Sequence, residues 1–233
     1  MINDIINVFT NLPSNHLHHT IISLGIIAFL LIIRYRVHKY NFHFLDILLG
    51  FLPTLIEIIF QIQSIYYREW SIIKTLPLEI SYLTSFAIPI YLYKPSRKLQ
   101  CWIFYIGIWS AAAAFLNTIM MGEEAWYLLL RYYGHHAVLL YFGISLYING
   151  YRPTIKDYYS TAYTMLFIIC IIGLINILIG SNYMFTRSKP SGMNLTLLMP
   201  DWPYYFIVII AIGLLFCGLL YIVGKDRLHK SVK

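Results

Sequence analysis

Charge is what this 233-residue chain has least of: 12% of its residues are Asp, Glu, Lys or Arg, against about 25% in an ordinary soluble domain. With 59% hydrophobic residues and a mean hydropathy of +0.67, that scarcity excludes a soluble globular protein, a disordered tail and a nucleic-acid module. Cysteine is scarce too. The three cysteines, Cys101, Cys170 and Cys217, fall in or beside apolar stretches with no CxxC or Cys/His spacing. Neither a zinc site nor a disulfide framework is expected from them, and they read as packing residues. The first 15 residues lack the basic start and small-residue cleavage site of a signal peptide. What remains is a polytopic membrane protein, read as a single transmembrane helical domain over residues 1–233.

Seven stretches without Lys or Arg predict helices at roughly 17–33, 45–64, 76–93, 101–119, 132–149, 159–180 and 204–223. Lipid offers no partner to backbone polar groups, so helices are required. The expected fold is all-α: a compact bundle of about seven transmembrane helices of about 20 residues each. Pro77 suits the first turn of the third helix, where a missing N–H costs nothing, and Pro89 should kink its far end.

The net charge of +7 orients the chain. Of its 17 basic residues, 12 fall in segments on one side and 5 on the other. The positive-inside rule then puts the N-terminus outside and the C-terminus in the cytoplasm. Tyr and Trp gather near the outer borders (Tyr66, Tyr67, Trp70, Trp126, Tyr132, Tyr133, Trp202, Tyr204, Tyr205), as an interfacial belt does.

Several polar residues stand where lipid should exclude them. Glu57 is about seven residues, or roughly 10 Å, inside the outer end of the second helix. An intramembrane acid is a functional candidate by default. Glu79 and Ser81 lie in the first turns of the third helix and face different ways, and Ser85 shares the Ser81 face. His135 and His136 begin the fifth helix, where the helix dipole favours neutral imidazole. A neutral imidazole acts as a general base. Adjacent positions cannot both ligate one ion, so no metal is expected. Gly173, Asn176 and Gly180 form a small-residue stripe on the sixth helix, suited to close packing and an interhelical hydrogen bond. Gly180 also suits a C-cap. Asn182, Tyr183 and the Pro200-Asp201-Trp202-Pro203-Tyr204 segment suggest an ordered outer lid. All of these fall on the outer side, while the inner loops carry Lys and Arg suited to anionic headgroups.

Three stretches carry a resemblance: LPLEIS at 76–81, GHHAVLL through GYRPT at 134–154, and GSNYMF…KP…PDWPYY at 180–205. The chain resembles the YwaF-like bacterial integral membrane proteins, the family that includes animal transmembrane protein 164. The resemblance implies a compact protein of six or seven helices and, from the animal branch, acyl transfer onto phospholipids. It also implies a bacterial cytoplasmic membrane. In that family a Cys of the third-helix motif and a His of the fifth are the proposed nucleophile and base. His136 stands at the His position and Ser81 at the Cys position, a departure that replaces a thiol by a weaker nucleophile more dependent on its base. Asn176, Asn182 and Tyr183 match the helix-six motif.

The expected function is therefore a lipid acyltransferase or transacylase facing the outer leaflet, with membrane phospholipids as partners and no cofactor. His136 would take a proton from Ser81 or from an acceptor hydroxyl, with Glu57 or Glu79 orienting the imidazole. Asn176, Asn182 or Tyr183 would donate to the oxyanion, and His135 and Trp202 would line the substrate site. One alternative is a transporter or substrate-binding component using Glu57 and His136 as a proton or ligand site. The other is a scaffold in which polar groups only join helices.

Overall fold

The computed structural model describes residues 6, 8, 10, 13–36, 43–118, 124–191 and 194–225. Within them lie seven main helices and no strand: α1 Ser14–Arg36, α2 His43–Tyr66, α3 Ile80–Tyr93, α4 Arg97–Leu116, α5 Trp126–Ile148, α6 Ile155–Ile179 and α7 Tyr204–Gly224. Two short 3-10 turns, Tyr183–Phe185 and Leu195–Leu198, punctuate the segment between α6 and α7. Five of the helices, α1, α2, α4, α6 and α7, are long and apolar enough to cross a membrane. Their outward faces expose large apolar side chains, such as Phe29, Leu178 and Leu215, as lipid contact requires. Lys39, Arg227, Lys230 and Lys233, which the charge count places inside, fall outside the described residues.

The helix α5 is the axis of the bundle. It packs against α1, α2, α3 and α4, and most of its side chains are buried. Small residues let α4 lie close to it. A Cβ on Gly107 would sit 3.2 Å from the Leu139 carbonyl oxygen, and one on Gly143 would collide with Ile108. In α4 the stretch Ile103–Gly107 is a π-helical turn, fully buried. Such a turn rotates everything after it, and so decides which residues of 108–116 face inward.

Helix ends follow local chemistry. Thr154 and Asp157 form a reciprocal capping box at the start of α6, and Gly180 ends it in the left-handed conformation at φ 73°. Four predicted starts are corrected, among them that of α4, which begins at Arg97, four residues ahead of expectation. α3 begins at Ile80, so Pro77 lies in a non-helical segment before it. α6 begins at Ile155, and α5 at Trp126, six residues ahead of expectation. The last shift puts His135 and His136 in the third turn of α5, beyond the reach of its N-terminal dipole. It also carries Arg131 into the bundle, where it is buried.

Ion pairs make such charges tolerable. Arg34, inside α1 and not in the following loop, grips Asp46 of α2 at 2.5 and 3.0 Å and donates to Tyr141 of α5. Arg97 pairs with Asp157, joining α4 to α6. Cys101 and Cys217 are buried and Cys170 is exposed.

Candidate functional site

A cavity of about 510 Å³ opens among α3, α4, α5, α6 and α7 on the side of the α6–α7 loop. Its polar lining residues include Glu79, Ser81, Asn117, His136 and Thr196. The rest of its wall is apolar, apart from Ser110 and the polar tips of Tyr82, Trp109 and Tyr132. Met184, Phe185, Pro190, Leu195 and Met199 of the α6–α7 loop cover one side, so this loop is a lid over the cavity.

His136 is buried, and its Nδ1 lies 2.6 Å from the backbone carbonyl oxygen of Tyr132. A carbonyl only accepts, so Nδ1 carries the proton and Nε2 holds the lone pair. Nε2 has no hydrogen-bond partner among the described residues, and the ring lines the cavity. Ser81 lines the same cavity, one residue past the start of α3. Its hydroxyl likewise has no partner among the described residues, His136 included. The N-cap Glu79 makes no side-chain cap. The first-turn N–H groups of α3, Ser81 and Tyr82 among them, have no acceptor among the described residues. Such groups suit an anion.

The side chain of Glu79 instead accepts from the Met184 N–H at 2.9 Å, tying the lid to the start of α3. Glu79 therefore lines the cavity but does not orient the imidazole, and neither does Glu57. Both carboxylate oxygens of Glu57 are engaged by Arg131, at 2.8 and 3.0 Å, and Gln61 donates to one of them at 2.7 Å. The guanidinium lies between the rings of Phe60 and Tyr82, 3.8 and 4.2 Å from their centroids. Gln61 and Arg131 both donate to the Thr75 carbonyl as well. Glu57 is thus the centre of a buried structural pair, and the group that fixes His136 is the Tyr132 carbonyl.

His135, its neighbour in sequence, turns away from the cavity. Its Nδ1 is 2.7 Å from the Ser85 hydroxyl, which also reaches the Tyr82 carbonyl. Its Nε2 is buried without a hydrogen bond, 3.9 Å from Glu57 Oε2.

The three motif residues in and just beyond α6 also have structural engagements. Asn176 donates to the Tyr183 carbonyl and the Thr186 hydroxyl, both at 2.7 Å, and accepts from the Ser181 hydroxyl and the Tyr183 N–H. These bonds run to the lid and not to another helix, contrary to the expected interhelical role. Asn182 donates twice to Ser188 and accepts from the N–H groups of Arg187 and Ser188. The Tyr183 hydroxyl donates to the Ile72 carbonyl and accepts from the Leu76 N–H. Burial pushes its pKa above the ordinary phenol value, so it stays a donor. None of the three lines the cavity. Trp202 is exposed, donates to the Thr186 carbonyl and braces the lid from outside.

Sequence reasoning missed Arg131 as the partner of Glu57. The available signal was a lone Arg five residues into an otherwise uncharged stretch, opposite a lone intramembrane acid. It also missed His16, buried between the Tyr133 hydroxyl at 2.8 Å and the Phe115 carbonyl at 3.2 Å.

No curated protein and no solved structure matches the chain. A family model described as the TMEM164 family matches residues 12–221. With that match over most of the sequence and its set of long apolar helices, the chain is a membrane protein that belongs to the TMEM164 family.

Proposed function

We propose that this protein is a lipid acyltransferase or transacylase whose site is the cavity bearing Ser81 and His136. The observation that carries the reading is the Tyr132 carbonyl on His136 Nδ1, which leaves an unprotonated Nε2 facing a cavity that Ser81 shares. Nε2 takes the Ser81 proton as Oγ attacks the ester carbonyl of a donor phospholipid. A C–O bond to Ser81 forms, the bond to the glycerol oxygen breaks, and His136 returns the proton to the departing lysolipid. An acceptor hydroxyl then enters, gives its proton to His136 and attacks the acyl carbonyl; the C–O bond to Ser81 breaks, His136 returns the proton to Ser81 Oγ, and the acylated acceptor leaves. The first-turn N–H groups of α3 stabilise the oxyanion in both steps.

The reading includes seven membrane crossings, with the N-terminus outside and the C-terminus in the cytoplasm of a bacterium. α5 has 23 residues, about 35 Å at 1.5 Å per residue, enough to span. Its burial inside the bundle explains why it need not be as apolar as the others. The 14 residues of α3, about 21 Å, are extended by the non-helical segment that leads into Glu79. The transporter alternative draws less support, because its two residues are separately engaged: Glu57 by Arg131, His136 by Tyr132.

Lipidomics of deletion and His136→Ala strains, with intact-mass analysis of the purified chain, tests the reading. An acyl adduct that disappears in Ser81→Ala, and a shared change in phospholipid acyl composition, are expected. An unchanged lipidome in both strains overturns it.

A further inference from the structure

The cavity has the dimensions of one hydrocarbon chain in one leaflet. On α7 its lining runs from Phe206 to Phe216, ten residues or about 15 Å, which is half of a hydrocarbon core about 30 Å thick. Its volume of about 510 Å³ accommodates about seventeen methylenes if each fills the roughly 30 Å³ of a liquid water molecule. That is one long acyl chain, not two. The cavity reaches the lateral surface: Leu116 of α4 and Ile212 of α7 line it and are also exposed on the outside of the bundle.

Its far end is marked by two aromatic rings in contact. The lining residues most distant from the lid are Trp109 on α4, Met165 on α6 and Phe216 on α7. The Trp109 and Phe216 rings lie 5.2 Å apart. The Trp109 indole rests directly on α7 at Gly213, where an added Cβ would sit 3.2 Å from Nε1 and 3.3 Å from Cε2. The indole keeps this seat because residue 213 has no side chain.

We propose that the cavity takes a single fatty-acyl chain of a lipid, entering sideways between α4 and α7, and that Trp109 seated on Gly213 sets the length of chain it accepts. The inference rests on the acyltransferase reading only for the ester lying near Ser81; the fit of the chain is independent of any reaction. Each methylene buried before the floor is met adds to affinity, and a methylene beyond it has no place to go.

The test is native mass spectrometry of the full chain titrated with 1-acyl lysophosphatidylethanolamines of about 12 to about 22 carbons, where affinity should rise up to about fourfold per methylene. In the unaltered protein the rise stops at a definite chain length within this series. Trp109→Ala moves that limit to longer chains and Gly213→Ala, which unseats the indole, moves it to shorter ones. Leu219→Ala, on the lipid-facing side of α7, leaves it unmoved. If Trp109→Ala does not fold, Phe216→Leu takes its place. Identical limits in every folded variant overturn the proposal, as does tighter retention of two-chain lipids with both chains inside. If the limits shift as stated while no acyl transfer is detected, the chain site stands and the acyltransferase reading alone falls.

Discussion

Arg131 meets Glu57 edge to edge, with Nε 2.8 Å from Oε2 and Nη2 3.0 Å from Oε1, in a pocket where both side chains are almost fully buried. Two parallel bonds of this kind use both oxygens of the acid. Because Phe60 and Tyr82 cover the guanidinium, the pair links α2, α3 and α5 through one contact.

That contact predicts a stability effect without a catalytic one. Glu57→Gln or Arg131→Met alone leaves a buried charge uncompensated, which costs about 3–5 kcal/mol. The double substitution Glu57→Leu with Arg131→Met removes both charges and should recover most of the loss. Thermal unfolding in detergent measures it. A double variant as unstable as either single one would show that the pair is not the source of the effect.

The two adjacent histidines should separate cleanly. His136→Ala removes the base and is expected to lower acyl transfer by about 10²–10⁴-fold, with little change in unfolding temperature. His135→Ala removes the partner of Ser85 and a fully buried ring. Its effect should be on unfolding temperature, with transfer by the surviving folded protein retained. Transfer rates normalised to folded protein in the two variants decide the point, and a reversal of the two phenotypes would reassign the base.

How much of this was legible in the sequence depends on which physical rule each feature obeys. The seven helices were readable because lipid enforces long apolar runs, and Gly180 was readable as a cap because the left-handed conformation favours glycine. The starts of α4, α5 and α6 were not, since stopping a helix at every Lys or Arg fails where the charge is paired or, like Lys156, reaches the exposed surface. Arg131 has Glu57, and Asp157 holds both Arg97 and the Thr154 cap. Ser81, Glu79 and His136 were found as motif residues, and one cavity joins them. The roles of Asn176, Asn182 and Tyr183 were not legible. Side-chain amides and hydroxyls serve an oxyanion and a loop equally well, and only the fold shows that these are used by the loop.

Asn176 should therefore control the lid. Its four side-chain bonds hold residues 181, 183 and 186, and Asn176→Ala leaves buried groups unsatisfied at a cost of about 1–3 kcal/mol. Arg187 is already exposed, but the loosened lid should let the chain around it unfold locally into the extended form that trypsin cuts. Limited digestion followed by mass analysis is expected to give faster cleavage after Arg187 in the variant. Equal cleavage rates would mean that the lid is held by Tyr183 and Trp202 without it.

Ser110 offers the converse case, a polar group whose removal should help the empty protein. Serine and threonine within helices commonly satisfy their hydroxyls on a carbonyl one turn back. Thr84 does so on Ile80 at 2.7 Å and Thr164 on Ser160 at 2.8 Å. Ser110, just after the π-helical turn of α4, is buried with no hydrogen-bond partner for its hydroxyl, in the wall of the cavity beside Trp109. Ser110→Ala removes a desolvated hydroxyl that gains nothing in return and should raise stability by up to about 1 kcal/mol. With a lysolipid bound, the ester lies near Ser81 and only the hydrocarbon tail reaches the depth of Ser110 beside Trp109, so no acceptor arrives and the advantage of the variant should persist. Unfolding temperatures of both proteins, measured with and without saturating lysolipid, check this. A gain that vanishes when lipid is bound would show that a polar part of the lipid reaches Ser110, and would place the ester deeper than Ser81.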